Sequence, residues 1–462
     1  MQMHRRQVVV LLLGLVGLVP VVGARDDARS KGPTRGARNG WITVRLQGTP
    51  AEIGFQHGRL LGREIADALA VARLSLTHDG KRDWAFYRTV AETVFWPRVD
   101  DEYRREMQGI AEGAAAAGVK IDLWDVVALN ANIEFGYYTA TLDEKGGSGA
   151  PDKCSAFVAT GRYTRDGRPV IAHNNWSGYL EGSRWNVIFD IRPAAGHRIL
   201  MDGMPGLIHS GDDFGITSAG LAITETTITG FKGFDPAGIP EFVRARKAMQ
   251  YASSIDDFDR IMRDGNNGGY ANAWLVADVK TGEIARLELG LRNVTLERTR
   301  DGYFAGANFP VSPKLAAEET KFKLDDPALS ANARRLRAEE ILKENEGRID
   351  VALAKRYLGD HHDAYEKKDD APSERTLCGH VDLSPRGMGD WFAAWGPAGT
   401  VQSKVADAAM VRRMSLEAAV GHPCGRSWHA APHLAKHEDY AWAKPLMRDL
   451  VAGPWTLFEA AP

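Results

Sequence analysis

The sequence lacks several features that would place it in a well-known functional class. Its 58 basic and 60 acidic side chains nearly cancel, so no net charge favours nucleic acid or an anionic membrane as a partner. It contains no glycine-rich phosphate loop, no Gly-x-Ser-x-Gly elbow, no papain-type cysteine signature and no internal repeat. The function must therefore be inferred from a local site, and the expected partner is a small molecule.

Cysteine is scarce, with only three residues in the chain. In an exported protein an odd count suggests one disulfide and one free thiol. Cys378 and Cys424 both lie in the C-terminal region and are the candidate disulfide. Two thiols that never pair remain the alternative, because a sequence does not give the distance between them. Cys154 is then the unpaired cysteine.

The N-terminal residues have the pattern of a secretory signal peptide. Arg5 and Arg6 precede the apolar run Val8–Val22, and small residues follow at the end of a predicted signal peptide over residues 1–24. An uncleaved membrane anchor is the alternative, although the run is short and contains glycine and proline. Residues 25–40 are polar and predict a flexible leader. The sequence thus predicts a secreted or periplasmic protein without a transmembrane span in the mature chain.

Three further regions follow the leader. Residues 41–138 predict a short strand and then amphipathic helices, the first beginning at Thr49-Pro50. Residues 139–153 are polar and glycine-rich and predict a linker that is cleaved or excised. Residues 154–462 open with a strand-like hairpin and continue with clustered strands between helices. This order favours an α+β fold with stacked sheets covered by helices over strict βαβ alternation.

The position of Cys154 fits a self-processing nucleophile. It begins a strand directly after the predicted linker, where the preceding peptide bond could be exposed to its thiol. Attack on the Lys153 carbonyl would give a thioester, and hydrolysis would release the α-amino group of Cys154. That amine could then serve as the base for the thiol. The alternative is that Cys154 is a small buried core residue.

Several segments resemble one family of hydrolases. They are Cys154-Ser155-Ala156, the stretch Val170–Trp176, Ser210–Phe214, Gly220-Leu221, Thr224–Ile228, the positions Asn266, Gly268, Tyr270, Asn272 and Trp274, and more weakly Thr400–Val405 and Pro423–Trp428. In this order and spacing they resemble the phospholipase B-like family. They are more distantly similar to the isopenicillin N acyltransferase-like autoproteolytic enzymes. The resemblance implies an N-terminal-nucleophile hydrolase with a four-layer αββα sandwich and a helical N-terminal segment.

The resemblance also implies a role for the hairpin residues. Cys154 matches the nucleophile, and the Lys153–Cys154 bond matches the processing point. His173 matches a histidine that faces the nucleophile across the hairpin, where it would orient or polarise the thiol while Asn174 or Asn175 holds its ring. A histidine satisfied within the core is the alternative for His173.

Two further groups complete the implied site. Asn272 matches a position whose side-chain amide donates to the developing oxyanion, with Asn266 and Asn267 as rival candidates. Asp212 and Asp213 could supply a buried carboxylate that orients the α-amino group of Cys154. A turn that caps its own backbone is the alternative for this acidic pair.

No metal and no cofactor are predicted. His429, His433 and His437 recur every four residues, which could place three imidazoles on one helical face. Pro432 interrupts that helix, and no carboxylate or cysteine lies at ligand spacing. The segment 360–363, which contains two histidines, is interpreted in the same way, as a loop that ends a helix.

These observations together predict a secreted, self-processing cysteine hydrolase of acyl amide or ester bonds. Phospholipids and other lipids are among the candidate substrates that the family name implies. Two alternatives stay open: an acyltransferase that uses an amine acceptor, and a non-catalytic secreted binding protein on the same scaffold. The segment 366–397 matches the family poorly, so contacts made there are not carried over.

Overall fold

A computed structural model describes residues 32–143, 154–212, 214–389 and 391–461. The predicted signal peptide, Lys153 and Asp213 lie outside these ranges, as do residues 144–153 of the predicted linker. The helices are α1 (Pro50–Gly80), α2 (Trp84–Val90), α3 (Asp101–Ala116), α4 (Leu123–Asn130), α5 (Phe135–Leu142), α6 (Tyr179–Gly182), α7 (Glu241–Tyr251), α8 (Ile255–Arg263), α9 (Pro313–Glu319), α10 (Ser330–Glu344), α11 (Val351–Leu358), α12 (Ala408–Arg412) and α13 (Ala430–Lys436).

The strands form one nine-stranded and one six-stranded sheet. They are β1 (Thr34–Arg38), β2 (Trp41–Gly48), β3 (Ser155–Thr160), β4 (Val170–Gly178), β5 (Val187–Pro193), β6 (Ile199–Gly203), β7 (Gly215–Thr217), β8 (Leu221–Thr227), β9 (Asn272–Asp278), β10 (Glu283–Leu289), β11 (Val294–Thr299), β12 (Gly302–Gly306), β13 (Ala398–Asp407), β14 (Ser415–Val420) and β15 (Thr456–Glu459). The large sheet has the order β1-β2-β5-β6-β7-β8-β9-β10-β11, and the small sheet has the order β12-β3-β4-β13-β14-β15. Neighbours are antiparallel except for the parallel pair β2 and β5.

Three apolar clusters define four layers. Helices α1, α3, α7 and α8 cover one face of the large sheet. Ile188 and Leu275 of the large sheet meet Val158 and Ile171 of the small sheet in a second cluster between the sheets. Helices α10 and α11 cover the outer face of the small sheet. The predicted α+β fold, a four-layer αββα sandwich with a helical N-terminal segment, is thus confirmed.

The N-terminal layer is fixed by a helix start and by close helix packing. Thr49 and Glu52 form a capping box at the start of α1, which satisfies N–H groups that the first helical turn leaves without partners. Gly54 of α1 lies so close to α3 that an added Cβ would be 1.9 Å from the Glu106 carbonyl oxygen. Glycine at this contact therefore allows the two helices to pack with their backbones nearly touching.

Two predicted boundaries are corrected. The leader was expected to be flexible through residue 40, but Thr34–Arg38 pair with β2 around a two-residue turn at Asn39-Gly40. Both turn residues have positive φ, at 51° and 87°, as a tight hairpin of this type requires. The linker was expected to begin at residue 139, but α5 continues to Leu142, directly before the glycine-rich stretch.

Within the described ranges, none of the helices combines the length and the apolarity needed to cross a bilayer.

Candidate active site

Cys154 lies at the start of the small sheet, immediately before β3, and only 1% of its surface is exposed. Its backbone N–H donates to Asn308 Oδ1 over 2.8 Å, and the guanidinium of Arg334 donates to its carbonyl oxygen. The backbone N–H of Trp176 donates to its Sγ. Burial raises the pKa of the thiol well above its usual value, and the nearby Glu225 carboxylate adds to the shift. The thiol is therefore neutral until a base acts on it.

His173 and Glu225 share the space around this thiol. One ring nitrogen of His173, one carboxylate oxygen of Glu225 and Cys154 Sγ lie within 4.8 Å of one another. Burial, reinforced by the Lys404 ammonium, holds the pKa of His173 well below its usual value, so its imidazole is neutral. Glu225 Oε1 accepts a hydrogen bond from the Tyr270 hydroxyl at 3.0 Å. The predicted pairing of Cys154 with His173 across the hairpin thus corresponds to a real proximity.

The prediction that Asn174 or Asn175 holds the His173 ring is not met, because neither ring nitrogen has an asparagine as a hydrogen-bond partner. Neither ring nitrogen makes a hydrogen bond of good geometry, although the backbone of Glu225 approaches the ring. Asn174 instead donates to the carbonyl oxygens of Leu358 and Leu377, at 2.8 and 2.9 Å. The alternation of side chains along β4 explains the result, because adjacent residues of a strand point to opposite faces of the sheet.

Asn175 differs from Asn174 in both position and partners. Its Nδ2 is buried and has no hydrogen-bond partner, and the residue lines the large cavity described below. An amide donor of this kind can bind an acceptor that enters the cavity.

Among the three candidate oxyanion donors, only Asn272 has a side-chain amide without partners. Its Oδ1 and Nδ2 are both buried and make no hydrogen bond. Asn266 accepts from the Gly268 N–H and donates to the Gly290 carbonyl. Asn267 donates to Glu134 and accepts from the Gly269 N–H. The two rivals therefore hold a turn together, whereas the amide of Asn272 remains available.

Asp212 belongs to a buried charged cluster, which we define as Asp202, Asp212, Lys404, Gln402 and Ser210. Lys404 Nζ lies 3.2 Å from Asp202 Oδ2 and also contacts Asp212. Gln402 Nε2 donates to Asp212 Oδ2 at 2.7 Å, and Ser210 Oγ donates to both carboxylates. Burial alone would raise the pKa of Asp212. The charge of Lys404 is the largest of several effects that outweigh burial and lower this pKa to about 2. Burial, followed by the charge of Asp212, raises the pKa of Asp202 well above its usual value.

The nitrogen of Cys154 has Asn308 as its side-chain partner, not Asp212 as predicted. The nitrogen of Cys154 donates to Asn308, and Arg334 Nη2 donates to the same Oδ1 at 3.0 Å. Asp212 acts on the thiol only through its charge. Sequence reasoning missed both Asn308 and Arg334. A signal existed for Arg334, since it lies on the face of α10 that also buries Ala331 and Ala338.

A large cavity opens beside the hairpin. Its volume is about 650 Å³, within the range of roughly 300–1,000 Å³ that is usual for small-molecule sites. Cys154 does not line it, but Trp176, whose backbone contacts Sγ, does. Its lining is mixed. The apolar and aromatic residues are Leu76, Tyr87, Ile133, Phe135, Tyr137, Ala140, Trp176, Trp185, Met204, Phe231, Tyr270 and Trp391, and the charged residues are Asp79, Lys81, Asp143, Glu181 and Lys232.

The remaining cysteines and the C-terminal histidines have other surroundings. Cys378 and Cys424 are free thiols in the structure, not the predicted disulfide, although their side chains contact each other. His429 pairs with Asp449 at 2.9 Å, and His433 bonds the Trp395 carbonyl at 2.8 Å. These partners engage His429 and His433 separately.

Comparison with known proteins supports the resemblance seen in the sequence. The model of the Phospholipase B family matches residues 85–290. A phospholipase B-like 2 protein of Rattus norvegicus is 31% identical over 150 residues, which cover 29% of this chain and 25% of that protein. The acyl-coenzyme A:6-aminopenicillanic-acid-acyltransferase 40 kDa form of Emericella nidulans is 27% identical over 51% of this chain and 60% of that protein. The predicted resemblance is confirmed.

The extent of these matches is limited. The chain spans less than two thirds of the length of the curated relatives it matches. Among solved structures, penicillin V acylase from Agrobacterium tumefaciens aligns with 58% of this chain and 83% of its own, at 12% identity and a TM-score of 0.35.

Proposed function

We propose that this chain, which resembles the Phospholipase B family over residues 85–290, is a self-processing cysteine hydrolase of acyl amide or ester bonds. One observation carries the proposal. A buried cysteine begins a strand directly after the predicted cleavable linker, and its thiol lies beside a neutral histidine and a carboxylate. A nucleophile and a base within reach of each other are the minimal requirement for covalent acyl transfer.

Self-processing would begin at the thiol. The neutral His173 takes the Cys154 Sγ proton, and the sulfur attacks the Lys153 carbonyl. The Lys153–Cys154 C–N bond then breaks, the proton passes to the leaving nitrogen, and Lys153 is held as a thioester. Water hydrolyses that thioester, which restores the thiol and leaves a Lys153 carboxylate. In this scheme the base for the first step is His173, because the amine is not yet free.

The released amine is the proposed base for later turnovers. Asn308 Oδ1 already accepts the N–H of Cys154 over 2.8 Å and can hold the amine in the same place. Arg334 contacts both Asn308 and the Cys154 carbonyl. A cation close to an amine disfavours protonation of that amine. Arg334 would therefore favour the unprotonated amine that is needed as a base.

A substrate acyl group would follow the same course. Cys154 Sγ attacks the acyl carbonyl while the amine takes the thiol proton and returns it to the leaving amine or alcohol. Water then cleaves the acyl thioester and releases the carboxylic acid. The amide of Asn272 is the proposed donor to the oxyanion, since it is buried and has no competing partner.

The cavity suggests the class of acyl group. Its aromatic and aliphatic side chains suit an apolar chain, while the unpartnered Nδ2 of Asn175 and the charged side chains of the lining offer contacts to a polar end group. Fatty acyl amides and phospholipids are therefore the proposed substrates of a protein that we expect to be secreted or periplasmic. Transfer of the acyl group to an amine is the second candidate, because the relative from Emericella nidulans is named as an acyltransferase.

The test is a search for the acyl-enzyme. The purified protein is incubated with N-acyl amides and phospholipids of graded chain length, quenched in acid and analysed by peptide mass spectrometry. We expect a thioester adduct on Cys154 and release of free acid, both absent from Cys154→Ala and retained in His429→Ala, which alters an exposed histidine. In a parallel reaction with an added primary amine, acylation of that amine in place of free acid would favour the transferase. Binding without any adduct or product would favour the non-catalytic alternative.

A further inference from the structure

Four metal-binding side chains converge on the outer side of the small sheet. The ligand atoms of His361, Cys378, His380 and Cys424 all lie within 4.8 Å of one another. We propose that this Cys2His2 cluster binds a structural zinc ion. Two thiolates and two imidazoles are a ligand set that zinc prefers, and a site with four protein ligands leaves no open position for a substrate.

The distances between the ligand atoms fit a tetrahedral ion. The Nε2 atoms of His361 and His380 are 3.2 Å apart, and Cys424 Sγ lies 3.6 Å from His380 Nε2. With the usual bond lengths to zinc, tetrahedral geometry requires about 3.3 Å between two nitrogens and about 3.6 Å between nitrogen and sulfur. Cys424 Sγ also contacts His361 and Cys378, so all four ligand atoms belong to one compact group.

The groups behind the ligands fit the same site. Each histidine directs Nε2 into the cluster, and its Nδ1 faces a carboxylate: Asp370 lies 3.5 Å from His361, and Asp382 lies 3.9 Å from His380. A carboxylate behind a ligating imidazole fixes its tautomer and strengthens it as a ligand. The backbone N–H groups of Arg426 and Cys424 donate to the sulfurs of Cys424 and Cys378, which suits thiolates.

His422 is the nearest rival ligand. Its ring stacks on His380 with centroids 4.0 Å apart, and it forms a second potential group with His380 and Asp382. However, its Nε2 bonds the Tyr179 hydroxyl at 3.0 Å, and that hydroxyl donates to Asp382 at 2.8 Å. These contacts engage His422, whereas the Cys2His2 cluster has two thiols and no competing partner of this kind.

The proposed ion would join three separate segments of the chain. His361 follows α11, Cys378 and His380 lie on the loop before β13, and Cys424 lies on the turn after β14. The loop between Leu377 and Gly379 supports β4, because the Leu377 carbonyl accepts from Asn174 and Gly379 packs against Trp176. Zinc would therefore stabilise the loop that backs the catalytic hairpin.

Metal content is the direct test. The protein is purified without chelator and without a metal-affinity step, and its zinc is measured by mass spectrometry of the elements. We expect about one equivalent per chain, falling at least about tenfold in Cys378→Ser, Cys424→Ser and His361→Ala. His362→Ala is the matched control, since His362 is the next residue but pairs with Asp369 outside the cluster.

Cobalt and thiol chemistry provide the decisive second measurement. Folded wild-type protein exchanged with Co²⁺ should show the intense visible bands and the sulfur-to-cobalt absorption of a tetrahedral thiolate site, even if a variant fails to fold. Alkylation under denaturing, non-reducing conditions should modify both Cys378 and Cys424 once the metal is removed. A Cys378–Cys424 disulfide, or two free thiols without bound metal, would overturn the proposal. The same measurements on Cys154→Ala separate this outcome from any failure of the catalytic proposal.

Discussion

Two buried polar regions lie side by side in this protein, and they differ in how completely their atoms are hydrogen-bonded. In the charged cluster, Lys404 contacts both Asp202 and Asp212, and Gln402 and Ser210 donate to both carboxylates. Among the candidate site residues, by contrast, neither ring nitrogen of His173 and neither amide atom of Asn272 has a partner of good geometry.

This difference suggests which buried polar groups stabilise the fold and which could bind a substrate. A buried polar group without a hydrogen bond costs roughly 1–3 kcal/mol, so it is retained only where something else requires it. In the charged cluster the ammonium and both carboxylates have partners, and among its side-chain atoms Gln402 Oε1 lacks one. We therefore infer that His173 and Asn272 are candidates to bind a substrate group, while the charged cluster links the two sheets through the contact of Lys404 on β13 with Asp202 on β6.

The largest effect on stability is expected at Lys404. Lys404→Met leaves two buried carboxylates without their cation and should lower the free energy of unfolding at neutral pH by about 3–5 kcal/mol. Urea denaturation measures the change. The matched control is Lys247→Met, which breaks a half-exposed pair with Asp100 and should cost no more than about 1 kcal/mol. Equal losses in both variants would contradict the structural role of the cluster.

A substitution at Asn272 should affect activity much more than stability. Because its amide has no partner to lose, Asn272→Ala should change the free energy of unfolding by less than about 1 kcal/mol. Its loss as an oxyanion donor should lower kcat by about 10²–10³-fold. Steady-state kinetics on the best substrate of the acyl panel, together with urea denaturation, would measure both.

Asn266→Ala is the matched control for Asn272. It removes two hydrogen bonds that hold the turn before β9, so we expect a stability loss of about 1–3 kcal/mol and near-normal kcat. Activity that falls equally in both variants would remove the distinction between a partnered and an unpartnered amide.

A pH-dependent effect is expected at a second buried histidine. His57 Nε2 accepts the Gly206 N–H at 2.9 Å, and burial followed by the Arg246 charge lowers the pKa of His57 to about 3. Between this value and the unfolded value near 6.5 the unfolded chain binds more protons, so stability falls as the pH falls. The contribution is at most about 1.4 kcal/mol per pH unit.

The measurement is urea denaturation at intervals from pH 7.5 to pH 4. His57→Gln keeps an acceptor for Gly206 but cannot be protonated, so its stability should decline less steeply below pH 6.5 than that of wild type. His78→Gln alters an exposed histidine and should follow the wild-type slope. A His57→Gln slope identical to that of wild type would show that His57 is not held neutral by burial.

Local patterns predicted much of the fold. The Thr49-Pro50 helix start, the hairpin from Cys154 to His173 and the clustered strands all correspond to observed elements, because each depends on residues close in sequence. Several strands, such as β6 and β14, were not predicted. Short, nearly uniformly buried strands lack the alternation of apolar and polar residues that identifies a strand.

The candidate site was predictable only in part. Cys154, His173 and Asn272 could be named from the family resemblance, but Asn308, Arg334 and the Cys2His2 cluster come together only in three dimensions. Asn308 follows β12, and Arg334 lies on α10, far from Cys154 in sequence. The pairing of Asn174 was mispredicted because its Nδ2 donates to backbone carbonyls, whose positions no side-chain motif indicates.

The most direct test of the account is the intact mass of the protein under denaturing conditions, with Cys154→Ala beside it. If Cys154 cleaves the preceding bond, wild type gives two fragments, the second beginning with a free amine at Cys154, and the variant gives one uncut chain. A single uncut chain in both samples would contradict the account, because the amine proposed as the catalytic base would never be formed.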